Sequence, residues 1–229
     1  MSISSEFQTV LGPFRPQVRT SLIKAGDLLY KHAGQSFSRI LGNSFRQTVS
    51  GILSDRRMDP SLMLSNHIQA SVSRCEQSQS ARIVVAQDTC TYSFSKTRQM
   101  EGLTELQKGV KALLQHNTFC MTEAGHALGL IDQHYWVRKG RNAFAVESEK
   151  WFRGLEAVNR HLGHLEKEVV LVQDREADIF DFFKAHRAPN VQLLVRIFQP
   201  RKLSRSREGE EERVAKLAQM ATELPCLDR

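Results

Sequence analysis

Two short β-branched runs set the terms for this chain. RIVVAQDT starts at Arg82, VVLVQDR starts at Val169, and each apolar stretch stops on the same pair, Gln-Asp. Runs of this kind, without polar alternation, belong to strands buried on both faces of a sheet. Strands of that type joined by a crossover lie parallel and adjacent, and ligands gather at their carboxyl ends. If these two are neighbours, Asp88 and Asp174 stand one strand spacing apart, about 4.7–4.9 Å. Carboxylates that close repel, and a hard cation, Mg²⁺ or Mn²⁺, relieves the repulsion. A pair of such ions roughly 3.5–4 Å apart activates water and steadies the leaving oxygen in phosphodiester cleavage. An aspartate after a strand also serves as a turn former or helix N-cap, and a helical pattern follows Asp174. The residues alone leave both roles open.

The first third of the chain reads as helical. Val18, Leu22, Ala25, Leu28 and Leu29 recur at three- and four-residue steps before Gly34, and Ser36 to Leu53 continues the pattern. Asp59-Pro60 opens a third helical stretch as N-cap and first helical residue. Residues 1–78 are thus expected to form a small all-helical domain. After the strand at 82–87, Ala112–Thr122 and Ala127–Val137 flank a short loop containing Gly125 and predict an antiparallel hairpin. Glu147–Leu162 has helical period, followed by the strand at 169–172, a helix from about Glu176 to Ala185, and a strand at Val191–Ile197. The expected class is α/β, with strand and helix order β-β-β-α-β-α-β over residues 79–203. Residues 204–229 hold an acidic run, Glu208 and Glu210–Glu212, then RVAKLAQMATEL, which predicts a short helix.

Composition excludes several classes. At 41% hydrophobic and 25% charged the chain is an ordinary globular sequence. No apolar run approaches the roughly 18 residues of a membrane span, and no secretory pattern opens the chain. The four cysteines have no C-x-x-C spacing, which argues against a zinc ribbon or a disulfide framework and fits a reducing cytosol. The net charge of +7 permits a polyanionic partner, nucleic acid or an anionic membrane surface. RIFQPRKLSRSR, from Arg196 to Arg207, concentrates basic residues without an acid.

The order of elements resembles the ribonuclease H-like fold, a mixed sheet whose first and fourth strands carry two metal-binding carboxylates. QDT (Gln87–Thr89) and DREADIF (Asp174–Phe180) resemble the catalytic segments of DDE transposases from bacterial insertion sequences. The best match is the insertion-sequence-four family, the group that includes the transposase of the kanamycin-resistance composite transposon. GLIDQHYWVRK (Gly129–Lys139) is similar to that family's third strand, and VRIFQPRKL to its fifth strand and basic exit. The resemblance covers essentially the whole chain and implies a DNA-end-recognition role for residues 1–78. It makes Asp88 and Asp174 the first two catalytic and metal-binding carboxylates, with Mg²⁺ or Mn²⁺ as cofactor. It implies double-stranded DNA, the transposon ends, as partner, a homodimer in a synaptic complex, and a cytoplasmic, non-membrane protein.

The chain departs from the family at the third carboxylate, a Glu set among Tyr, Arg and Lys after the fifth strand. All three tyrosines, Tyr30, Tyr92 and Tyr135, precede Asp174, so that pattern cannot occur downstream. In the family a β-rich insertion follows the fifth strand, so residues 204–229 are expected to be the start of an insertion or a truncated tail. Weak or absent cleavage follows from two acids of three. The alternative function is a non-catalytic DNA-binding or inhibitory remnant that occupies ends or pairs with full-length transposase; an unrelated metal-dependent nuclease is a third.

Arg175, Arg196, Arg201 and Lys202 are the expected phosphate contacts, which position DNA without reading its sequence. Glu176 suits either a polar shell around Asp174 or the first turn of a helix. Thr89 and Thr91 could hydrogen-bond a phosphate, but β-branched residues after a strand need no such reason. His161 and His164 are spaced i, i+3 as on one helix face, but with no acidic or Cys partner at ligand spacing they read as a solvated face, and Trp136 and Trp151 read as packing residues.

Overall fold

The alternation of burial along the first β-branched run fixes the layout. In β1 (Arg82–Ser95), Ile83, Val85 and Gln87 are buried, while Val84 and Ala86 are half-buried and Asp88 is exposed. β5 (Glu168–Gln173) repeats this with Val169, Leu171 and Gln173 buried. Successive strand residues face opposite sides of a sheet, so in both strands the Gln points into the core and the following Asp lies on the other face. These features come from a computed structural model that describes residues 15–95, 103–107, 109–137 and 143–198, with backbone pairs at 202–203, 206–207, 210–211 and 215–216.

Among the described residues the sheet has six strands. β1 pairs in parallel with β5, with Ala86 opposite Val172, and β5 pairs in parallel with β6 (Val191–Val195). On its other side β1 runs antiparallel to β3 (Val110–Thr122), whose far edge carries both the short β2 (Thr104–Gln107) and β4 (Ala127–Trp136). With the short β2 set aside, the sequence of elements and their directions are those of the ribonuclease H-like fold, an α/β mixed sheet preceded by helices. Among the described residues four helices precede the sheet, α1 (Pro16–Lys31), α2 (Phe37–Leu41), α3 (Asn43–Leu53) and α4 (Pro60–Gln77). Asp59 caps α4 as expected, its carboxylate accepting from Ser61 N–H at 2.8 Å.

One core joins sheet and helix. Trp151, Leu155, Val158 and Leu162 of α5 (Ala143–Leu162) bury against Ile83, Val85, Val169 and Leu171. Cys75 of α4 belongs to the same core, whereas Ala25, Leu41 and Val49 form a separate small cluster among α1, α2 and α3. α4 lies along β4: Arg74 Nε donates to the Leu128 carbonyl at 2.5 Å, and Leu130 N–H donates to His67 Nε2 at 3.1 Å. An otherwise open sheet edge is thereby covered by a helix. Lys167, just before β5, donates to the carbonyls of Cys75, Glu76 and Ser78 at 2.6–2.7 Å and so caps the C-terminus of α4.

Five expectations are corrected. Asp88 does not end its strand; β1 continues to Ser95 because it stays paired with β3 after its pairing with β5 stops at Ala86. Ser36–Leu53 is two helices, split at Gly42, whose φ of 67° lies in the left-handed region. The helix expected at 176–185 is a 3-10 turn, Arg175–Ala177, then a short α6, Phe180–Lys184. α5 ends at Leu162, so His161 and His164 do not share a helix face, and His164 lies 3.2 Å from Glu76. Within RVAKLAQMATEL, Ala215–Lys216 (β10) pairs antiparallel with Lys202–Leu203 (β7), outside a pair formed by Ser206–Arg207 (β8) and Glu210–Glu211 (β9).

Candidate metal and phosphate site

The two Gln-Asp pairs meet at one level of the sheet. Gln173 Nε2 donates to Gln87 Oε1 at 2.6 Å, a buried bond on the core side that ties β1 to β5 one residue past their last paired positions. Asp88 and Asp174 come next in each strand. Each carboxylate is oriented by a nearby backbone N–H: Thr89 N–H donates to Asp88 Oδ1 at 2.7 Å, and Glu176 N–H to Asp174 Oδ1 at 2.9 Å. Neither aspartate forms an ion pair with a described residue, and both are exposed.

DREAD at 174–178 resolves residue by residue. Asp174 caps the 3-10 turn; the Arg175 guanidinium sits 5.5 Å from the Phe198 ring centroid. Glu176 Oε2 accepts from Lys150 Nζ at 2.8 Å, Ala177 is fully buried, and Asp178 Oδ2 accepts from Phe198 N–H at 2.8 Å. Arg196 N–H donates to the Gln173 carbonyl at 3.1 Å, which brings the exposed Arg196 to the same end of the sheet as Asp174 and Arg175. Arg201 lies outside the described residues. The Lys202 backbone pairs within β7 and its side chain is outside the description.

A groove of about 640 Å³ opens beside Asp88, between the sheet face away from α5 and helix α4. Ala86, Gln115, Asn117 and Gln133 line it from the sheet, His67 and Arg74 from α4. Its polar floor is linked: Tyr92 OH donates to Gln115 Oε1, Gln115 Nε2 to Asn117 Oδ1 at 2.8 Å, and Gln133 Nε2 to the same Asn117 oxygen at 3.0 Å. None of these amides was legible as a site feature, because isolated Asn and Gln in a hairpin carry no spacing signal.

On the opposite, core side a buried polar cluster lies under the strand ends. His116 is 1% exposed, its Nδ1 is 2.9 Å from Thr89 Oγ1, and its ring meets Trp151 edge-on at 4.8 Å. Burial, reinforced by the Lys150 ammonium, holds the His116 pKa down at about 3, so the ring is neutral. Thr89 therefore serves His116 as well as orienting Asp88, and Thr91 is exposed. Trp151 is a core residue, as expected, and Trp136 stacks on His134 with ring centroids 5.7 Å apart.

The donor set suits a hard cation in part. Each carboxylate keeps its Oδ2 free of any hydrogen bond from described residues, and Mg²⁺ is commonly held by one or two carboxylates plus waters and substrate phosphate. Among the described residues no group of three or more His, Cys, Asp or Glu forms a fuller cage.

No family model matches the sequence. Among the solved structures that align with it are two transposase complexes. One is the Mos1 transposase paired-end complex with left transposon end, at 14% identity over 75% of this chain and 57% of that one, TM-score 0.30. The other is the Mos1 mariner paired end complex with Mn, at 13% identity over 74% and 57%, TM-score 0.28. This chain thus spans less than two thirds of either. No helix of the described residues is long and apolar enough to cross a membrane.

Proposed function

We propose that the chain is a DNA transposase of the insertion-sequence-four kind, or the N-terminal part of one, acting in the cytoplasm on double-stranded transposon ends. One observation carries this: Gln87 and Gln173 join neighbouring parallel strands, and Asp88 and Asp174 follow them at the same sheet end. In this reading Asp88 and Asp174 hold Mg²⁺ or Mn²⁺, which supplies Lewis-acid activation of water and of the scissile phosphodiester. The chain's own residues do the positioning. The Thr89 and Glu176 N–H groups aim the two carboxylates, and Arg175 and Arg196 meet backbone phosphates, as do Arg201 and Lys202 in the sequence reading. Residues 1–78 bind the transposon end, and two copies pair in a synaptic complex.

Cleavage by this chain alone is weak, because two acids stand where the family uses three and no third Asp, Glu, His or Cys groups with them among the described residues. That same observation favours a second outcome, a DNA-binding or inhibitory protein that occupies ends without cutting. The test is incubation of the purified chain with Mn²⁺ and duplexes taken from the DNA flanking its reading frame, beside a gel shift over a salt series. Specific binding that weakens steeply with salt, with little cutting, is expected. Binding to no duplex at low salt contradicts the proposal, and efficient specific cutting contradicts the two-acid explanation.

A further inference from the structure

Lys150 is a buried charge. Its side chain is 5% exposed, on the face of α5 beneath the strand ends, with Trp136 and Trp151 ring centroids 5.6 and 5.0 Å from Nζ. Lysine is almost never buried without a partner, since removing an ammonium from water costs several kcal/mol. The partner is Glu176, at 2.8 Å, whose own side chain is 62% exposed. Burial therefore does not trap Glu176; the ammonium does. The same residue's backbone N–H is the donor that orients Asp174 Oδ1. A continuous linkage thus runs from the buried ammonium, through the Glu176 carboxylate and backbone, to the Asp174 carboxylate.

We propose that Lys150 is a positioning residue for Asp174, acting through Glu176. The two Trp faces fix the ammonium, and their negative π surfaces stabilise it there. The fixed ammonium holds Glu176 against the α5 side of the sheet. This pins the Arg175–Ala177 turn so that the Glu176 N–H meets Asp174 Oδ1 and leaves Oδ2 to face outward. Ala177 anchors the far end of the turn in the core, and the Lys150–Glu176 pair is the side-chain tether of its exposed part, Arg175 and Glu176, which would otherwise fray. The inference rests on the reading of Asp174 as a cation ligand, and its test separates the two.

Two variants are compared with the intact chain, Lys150→Met and Glu176→Gln; the first removes the buried ammonium together with its need for a counter-charge, so it keeps the test readable even if the second, which strands that ammonium, does not fold. NMR reads the solvent-exchange rate of the Glu176 N–H without metal, and calorimetric titration reads Mn²⁺ affinity, with Asp174→Asn as the reference for loss of the site. Both variants are expected to speed Glu176 N–H exchange while core amides keep their rates. Both are expected to weaken Mn²⁺ binding roughly tenfold, as loss of an outer-shell partner does. Unchanged exchange in Lys150→Met overturns the proposal whatever the Mn²⁺ result. Faster exchange with unchanged Mn²⁺ affinity, where Asp174→Asn abolishes binding, also overturns it and leaves Lys150 a structural ion pair. Faster exchange in a chain that binds no Mn²⁺ supports the pinning of the turn and refutes the cation reading instead.

Discussion

Gln87 and Gln173 face each other across β1 and β5 and share a buried amide–amide hydrogen bond of 2.6 Å. This accounts for the repeated Gln-Asp ending of the two runs. Strand alternation sends each Gln to the core side, where only another polar side chain can satisfy it, and each Asp to the open face. Replacing one Gln by Leu strands the other amide and should cost about 1–3 kcal/mol in urea unfolding. The double Leu variant should cost less than the two single losses together. Additive losses would mean that the bond does not couple the strands.

Gly154 of α5 lies over this bond. A methyl placed there would meet Gln87 Nε2 at 1.6 Å and Thr118 Oγ1 at 2.8 Å. Gly to Ala in an unconstrained helix interior stabilises by about 1 kcal/mol, but here the buried, bonded Gln87 cannot swing away. Gly154→Ala should therefore destabilise, by about 1–3 kcal/mol, and the loss should shrink in a Gln87→Ala background. A rise in melting temperature for Gly154→Ala would contradict the packing.

The neutral, buried His116 makes stability depend on pH. Its folded pKa of about 3 lies below the ordinary 6.5, because burial first and the Lys150 ammonium second disfavour the imidazolium. Between those values the unfolded chain binds the proton and the folded chain does not. The stabilisation is therefore complete above pH 6.5 and falls by about 1.4 kcal/mol per unit as pH drops towards 3. His134 and His161, also lowered by burial, act in the same direction. Unfolding free energies from pH 7.5 to 5 should show this slope, and His116→Gln should flatten it. An equal slope in the variant would place the proton uptake elsewhere.

Much of this fold was legible in order and spacing. The two apolar runs became neighbouring parallel strands, the hairpin formed around Gly125, and Asp59-Pro60 opened a helix. What escaped was decided by pairing across the chain. CTYSFS, from Cys90, extends β1 only because β3 offers it a partner, and β2 is four residues long with no apolar period. The helix expected after Asp174 broke because Asp174 caps a single turn and Asp178 is drawn to the Phe198 N–H. Ala215–Lys216 pairs with a distant strand where the local pattern favours helix. At the candidate site, the aspartates stood out because each follows an apolar run that stops on Gln. Lys150 was not, since nothing in its local sequence marks the side chain as buried or names a partner 26 positions away.

The proposed function requires Asp88 and Asp174 to share one divalent cation. Mn²⁺ is paramagnetic, so amide signals in an NMR titration broaden where it binds. The N–H signals of Thr89 and Glu176 should broaden together at the same Mn²⁺ concentration, and either Asp88→Asn or Asp174→Asn should relieve both. Broadening at one of the two alone, or at neither, would contradict the account.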